Sequence, residues 1–131
     1  MAHKGPPPHP TNAELEILRV LWRRGSGTVR DVHEELDREP PVGYTTVLKL
    51  LQIMTEKGLV TRDESSRSHV YQAAVSEAVT QRRLVSDLLD RAFEGSALGL
   101  VMQALEARPA TREELQQIRQ LLNQRSKGAR P

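Results

Sequence analysis

The sequence predicts a mainly α protein in which one small β-hairpin separates three N-terminal helices from a run of C-terminal helices. Apolar residues recur at helical spacing through most of the 131 residues. Capping pairs, glycines and prolines interrupt that pattern about once per helix length. Strand-like alternation occurs once, over residues 59–74.

The first helix opens at Thr11, which stands three residues before Glu14 in capping-box spacing, each side chain placed to satisfy a backbone N–H at the helix start. Leu15, Leu18, Leu21 and Trp22 follow on one face, and Gly25 supplies the stop. The second helix opens at Thr28, with Asp31 three residues on. Val29, Val32 and Leu36 face inward, and Pro40 and Pro41 are expected to end it. It is acidic, carrying Asp31, Glu34, Glu35, Asp37 and Glu39 in its span, so its exposed face is poorly suited to lie against phosphates.

The third helix is expected over Tyr44–Lys57, closed by Gly58, with Val47, Leu50, Leu51 and Met54 as its buried stripe. Its opposite face carries Thr45, Thr46, Leu48, Lys49 and Gln52. A leucine exposed beside Thr and Lys is best explained if that face meets a partner. A hairpin follows, with strands at Leu59–Asp63 and His69–Ala74 joined by the polar turn Glu64–Ser68. Beyond it the pattern is again helical. Ser76–Phe93 carries Leu84, Val85, Leu88 and Leu89. Ser96–Ala107 carries Leu98, Val101 and Leu105. The last helix opens with the capping pair Thr111 and Glu114 and carries Leu115, Ile118, Leu121 and Leu122.

These elements divide the chain into a Pro-rich, disordered tail (1–10), a winged-helix domain (11–75), a helical dimerisation domain (76–125) and a basic, frayed tail (126–131). Three short helices bury their apolar faces poorly alone. Val85, Leu88, Leu89, Leu98, Val101, Leu105, Leu115, Ile118 and Leu122 are therefore expected to meet a second chain.

Composition narrows the function classes. Aromatics are 3% of the residues, so the core leans on Leu, Val and Ala, and a second chain would help stabilise it. The absence of cysteine excludes disulfides, thiolate zinc sites and a Cys nucleophile. No apolar run approaches the roughly 18–20 residues of a membrane span, and Met1–Pro10 lacks the apolar stretch of a signal peptide, so a cytoplasmic protein without membrane insertion is expected. No Ser/His/Asp arrangement, glycine-rich phosphate loop or carboxylate pair suggests an enzyme. His33 and His69 are read as surface or core-edge histidines, and no metal or cofactor is expected. The net charge is +2, yet residues 1–75 hold 10 Lys+Arg against 10 Asp+Glu, so gross charge alone does not announce nucleic-acid binding.

Helix, helix, helix, hairpin is the order of a winged helix-turn-helix, in which the second of the paired helices enters the major groove and the first braces it. Here the bracing helix begins at Thr28, the reading helix is Tyr44–Lys57, and the hairpin is the wing. Thr45, Thr46, Lys49 and Gln52 fall close to one helical face. Thr offers a hydroxyl and a methyl, Gln pairs with adenine, and Lys suits guanine or phosphate. Tyr44 either caps the helix start and touches a phosphate or packs on the bracing helix. Arg67 at the wing tip suits phosphates or the minor groove, and Thr28 and Arg30 open the bracing helix at an end that favours anions. A winged helix used for protein contact without DNA is the competing reading, favoured by the neutral charge of residues 1–75.

The chain also resembles the BlaI/MecI/CopY repressors of penicillinase and related genes. The resemblance lies in Thr11-Asn-Ala-Glu-Leu-Glu-Ile-Leu18, Leu21-Trp22, Thr28-Val-Arg-Asp-Val-His-Glu-Glu-Leu36, Gly43-Tyr-Thr-Thr-Val47, Lys57-Gly-Leu-Val60 and His69-Val-Tyr71, and it extends over about residues 11–125. It implies a homodimer joined by C-terminal helices. It implies a double-stranded, pseudo-palindromic operator whose half-sites carry a TACA-like core. It also implies, for many members, relief of repression by a membrane-bound sensor protease that cuts within the dimerisation helices. Two departures stand out. The copper-responsive branch uses cysteines that this chain lacks, and Gln103-Ala104 stands where the penicillinase repressors carry the cleaved Asn-Phe pair.

Overall fold

The structure, a computed structural model, describes residue 5 and residues 7–36 and 39–129. Half of the Pro-rich tail (His3 included), Asp37 and Arg38 between the second and third helices, and the last two residues of the basic tail lie outside the described residues. The chain forms two compact units, one through Val85 and one from Ser86.

The first unit contains α1 (Asn12–Arg24), α2 (Val29–Glu35), α3 (Tyr44–Lys57), β1 (Val60–Asp63), β2 (Val70–Ala73) and the start of α4 (Glu77–Ala92). The two strands pair antiparallel, with Arg62 opposite Tyr71. Both expected capping boxes form. Thr11 Oγ1 accepts from the Glu14 N–H at 3.2 Å, and Glu14 Oε1 accepts from the Thr11 N–H at 2.9 Å. Thr28 and Asp31 exchange the same bonds at 3.1 and 3.0 Å. Gly25 at φ 93° and Gly58 at φ 81° close α1 and α3 in backbone conformations that side chains disfavour.

The core joins Leu18 and Leu21 of α1, Val32 of α2, Val47, Leu51 and Met54 of α3, and Leu59 and Tyr71 of the hairpin, each 1% exposed or less. Tyr71 supplies this core with its one fully buried aromatic ring. Its backbone N–H and C=O also exchange bonds with Gly27 at 2.8 and 3.0 Å, which adds a bridge from the α1–α2 connection to the edge of the wing. Side chains crowd Gly27: a Cβ there would stand 3.2 Å from Arg24 Nε and 3.3 Å from Asp31 Cβ. Trp22 is half-buried, and its indole N–H donates to the Val75 carbonyl at 2.9 Å, which holds the exit from the wing against α1.

Several expectations change. α2 ends at Glu35, before the prolines, because Leu36 leaves the helix at ψ 105° and packs its side chain against the core. Leu48 is half-buried against the core and is not the exposed leucine of the outer face, while Leu50, expected in the buried stripe, is also only half-buried. A helix resting in an angle between other elements is covered over more than one stripe, so both flanking leucines reach the core's edge. β1 begins one residue later than expected and β2 is shorter by one residue at each end, and the first compact unit runs on to Val85. Thr80 of α4 is buried, its hydroxyl donating to the Ser76 carbonyl at 2.8 Å.

The second unit contains the remainder of α4, α5 (Ala97–Ala107) and α6 (Arg112–Ser126). Ser96 caps α5 by accepting from the Gly99 N–H at 2.9 Å. At α6 Thr111 accepts from the Glu114 N–H at 3.1 Å, which is the Thr half of the expected capping box. No residue of α5 or α6 is buried. Leu98 is 71% exposed, and Val85, Leu88, Val101, Leu105, Leu115 and Leu122 are exposed as well, while Leu89 and Ile118 are half-covered.

Candidate nucleic-acid interface

α3 is two-sided. Val47, Leu51 and Met54 are completely buried, and Thr45, Thr46, Lys49 and Gln52 are exposed, as their helical spacing requires. At 14 residues the helix is about 21 Å long by a rise of 1.5 Å per residue, long enough to lie along a major groove about 12 Å wide. Its N-cap is Gly43, with no side-chain cap, so Tyr44 does not cap the helix. Tyr44 packs on the bracing helix, its ring meeting His33 edge to face with centroids 5.9 Å apart, yet it stays half exposed. His33 in turn lies with Nε2 2.9 Å from the Val42 carbonyl, which ties α2 to the segment entering α3.

Beside α3, an open hollow of about 520 Å³ is lined by Thr28, Val29 and Arg30 of α2 and its cap, Tyr44 and Leu48 of α3, and Arg67, Ser68, His69 and Tyr71 of the wing. It brings together Thr28, Arg30, Tyr44, Leu48 and Arg67 of the expected contact set. Thr45, Thr46, Lys49 and Gln52 lie outside it, on the outer side of α3. Ser68 and His69 were not among the expected contacts; their position directly after Arg67 in the wing was the available signal.

The electrostatics resolve the neutral charge of residues 1–75. Asp31 and Glu35 of the acidic α2 turn to α1. Arg24 reaches Glu35 at 2.6 Å and Asp31 at 3.2 Å, and Arg23 reaches Glu35 at 3.6 Å. The Thr28 backbone N–H and hydroxyl, and then Arg24, hold the Asp31 carboxyl below its ordinary pKa. Among the described residues Arg30, Lys49 and Arg67 form no ion pair. Acids and bases thus balance in number while Asp31 and Glu35 of α2 are neutralised by α1, Glu34 stays exposed, and the cations beside α3 are left to solvent. The start of α2 is a weaker anion site than the sequence suggests. The Asp31 N–H is already bonded to Thr28, and the Asp31 carboxylate stands at that end.

The sequence model of a protein family described as penicillinase repressor matches residues 10–124. The penicillinase repressor of Bacillus licheniformis is 25% identical over 117 residues, covering 89% of this chain and 91% of its own. The methicillin resistance regulatory protein MecI of Staphylococcus aureus (strain N315) is 19% identical over 115 residues, covering 88% and 94%. The solution structure of the Bacillus licheniformis BlaI monomeric form in complex with the blaP half-operator is similar at 27% identity over 54% of this chain and 87% of that one, with a TM-score of 0.47. The family match begins just before the cap of α1 and ends within α6, and so takes in every element described above: the chain belongs to the penicillinase repressor family.

Proposed function

We propose that this chain represses transcription as a homodimer that reads a pseudo-palindromic, double-stranded operator through α3. The observation that carries the reading is the two-sidedness of α3: one face completely buried, the other presenting Thr45, Thr46, Lys49 and Gln52 to solvent beside Arg30 and Arg67, which form no ion pair among the described residues. Thr45, Thr46 and Gln52 read base edges. Lys49, Arg67 and Arg30 meet phosphates or the groove edge, and Tyr44, Thr28 and Leu48 line the hollow between reading helix and wing. The names of the similar repressors support the same reading. The exposed apolar residues of α4, α5 and α6 are the dimer contact, since a second copy removes them from water.

In this reading the protein acts in the cytoplasm, and no helix among the described residues is long and apolar enough to cross a membrane. Relief of repression by a sensor protease would fall in α5, where Gln103 and Ala104 are exposed but helical, so the helix has to unwind locally before a protease can bind it. Footprinting on the promoter of the chain's own gene tests the reading. The expected result is two protected half-sites about 10 bp or slightly more apart, related by a dyad. A single asymmetric footprint, unchanged when one half is scrambled, defeats the symmetric dimer. Absence of binding to any duplex leaves the protein-contact role of the winged helix.

A further inference from the structure

Glu14 is 1% exposed and, with Thr80, one of two buried polar residues among the described residues. Its two carboxylate oxygens are divided between partners. Oε1 completes the cap of α1 at Thr11, and Oε2 accepts from Lys57 Nζ at 2.8 Å. A cap alone does not require this. Asp31 closes an equivalent box at the start of α2 while remaining half exposed. Burying a carboxylate is costly unless its charge is paired, so the burial of Glu14 calls for the second partner. Burial pushes the Glu14 carboxyl up, but the Lys57 ammonium and the Thr11 N–H outweigh it and leave the group below the ordinary carboxylate range.

That partner stands 43 residues away, at the last position of α3. Gly58 follows in the left-handed conformation, and then Leu59 and Val60, both buried, lead into β1. Lys57 therefore sits where the reading helix hands over to the wing, and its ammonium is tied inward to α1. We propose that Glu14 and Lys57 are the positioning pair that sets the tilt of α3 and the root of the wing for sequence-specific DNA binding, without touching DNA themselves. The proposal rests on the operator-binding reading above. A tilt of about 5° about the C-terminal end moves the other end of a helix of this length, about 21 Å at 1.5 Å per residue, by about 2 Å. Base-edge hydrogen bonds do not survive such a displacement. Counterion-driven binding to any duplex does, because it depends on charge near the phosphates and not on register.

The test compares full-length wild type with Lys57→Met, Lys57→Arg and Glu14→Gln for binding to the footprinted operator and to a scrambled duplex across a range of salt, with thermal unfolding recorded alongside. Glu14→Gln keeps an oxygen for the Thr11 N–H and removes the charge. The expected result is an operator-to-scrambled affinity ratio lowered about tenfold or more in Lys57→Met and Glu14→Gln. Scrambled binding and the salt slope should be nearly unchanged, and Lys57→Arg should keep most of the ratio. Should a single change unfold the chain, Glu14→Gln/Lys57→Gln replaces the ion pair with a neutral hydrogen-bonded pair, and it too is expected to lower the ratio. Folded variants that keep the wild-type ratio overturn the proposal. So does a Lys57→Met variant that loses equally on both duplexes with a salt slope reduced by about one unit, the mark of a phosphate contact. A wild type that fails to discriminate operator from scrambled duplex removes the operator-binding reading itself, and the positioning role with it.

Discussion

Adjacent residues of α3 should fail in opposite ways. Leu51 is completely buried among α1, α3 and hairpin side chains, and Gln52 is exposed. In Leu51→Ala helix propensity slightly favours the variant, so the loss is one of packing. Deleting a fully buried leucine costs the transfer of its methyl groups plus the cavity left behind, about 3–4 kcal/mol in a core that cannot collapse around it. That is a large share of the stability of a unit of this size, on the order of 5–10 kcal/mol. With a urea m value of about 1.5 kcal/mol/M the midpoint falls by about 2 M, with m unchanged. Gln52→Ala removes no buried contact and should stay within about 0.5 kcal/mol. Trp22 is the single tryptophan and bonds to Val75 only in the folded unit, so its fluorescence reports the transition. Both variants are measured at one protomer concentration, because a dimer's midpoint depends on it. On operator DNA the order reverses. Gln52→Ala loses about 1–3 kcal/mol of binding, while Leu51→Ala, held at a temperature where it is folded, loses less. A Leu51→Ala cost below about 1 kcal/mol, or a Gln52→Ala cost above it, would refute this assignment of the two faces.

Three further outcomes follow. Because the Glu14 carboxyl is held below its ordinary value of 4.5, its contribution to stability is present above that pH and is lost as pH falls through the lower folded value; acid unfolding monitored at Trp22 should be less steep for Glu14→Gln than for wild type. Lys49→Ala and Arg67→Ala should each weaken binding to operator and scrambled duplex alike and lower the salt slope by about one unit, read from affinities at several salt concentrations. Leu98→Glu combined with Val101→Glu places charge on exposed apolar positions of α5 and should sediment as a monomer at about 10 µM, where the proposed homodimer predicts twice that mass for the native chain, with the melting of the first unit little changed.

What could be read from the sequence was what three or four neighbouring residues decide among themselves. The boxes at Thr11 and Thr28 each close over three residues, Gly25 and Gly58 end their helices through their own backbone freedom, and the spacing of Val47, Leu51 and Met54 selects the buried face of α3. The outer face, with Thr45, Thr46, Lys49 and Gln52, was legible for the same reason: on a helix, one face implies the other. The remainder depends on approach between residues distant in the chain. Arg24 meets Glu35 across 11 residues, Lys57 meets Glu14 across 43, Trp22 meets Val75 across 53, and Gly27 pairs with Tyr71. No local periodicity encodes these contacts. They decided that Asp31 and Glu35 of α2 are neutralised by α1, that Leu48 is half covered, and that Arg30, Tyr44 and Arg67 line one hollow. Sequence spacing sets which way a side chain points along its own element; only packing sets what it finds there, because ion pairing and burial are properties of the space between elements.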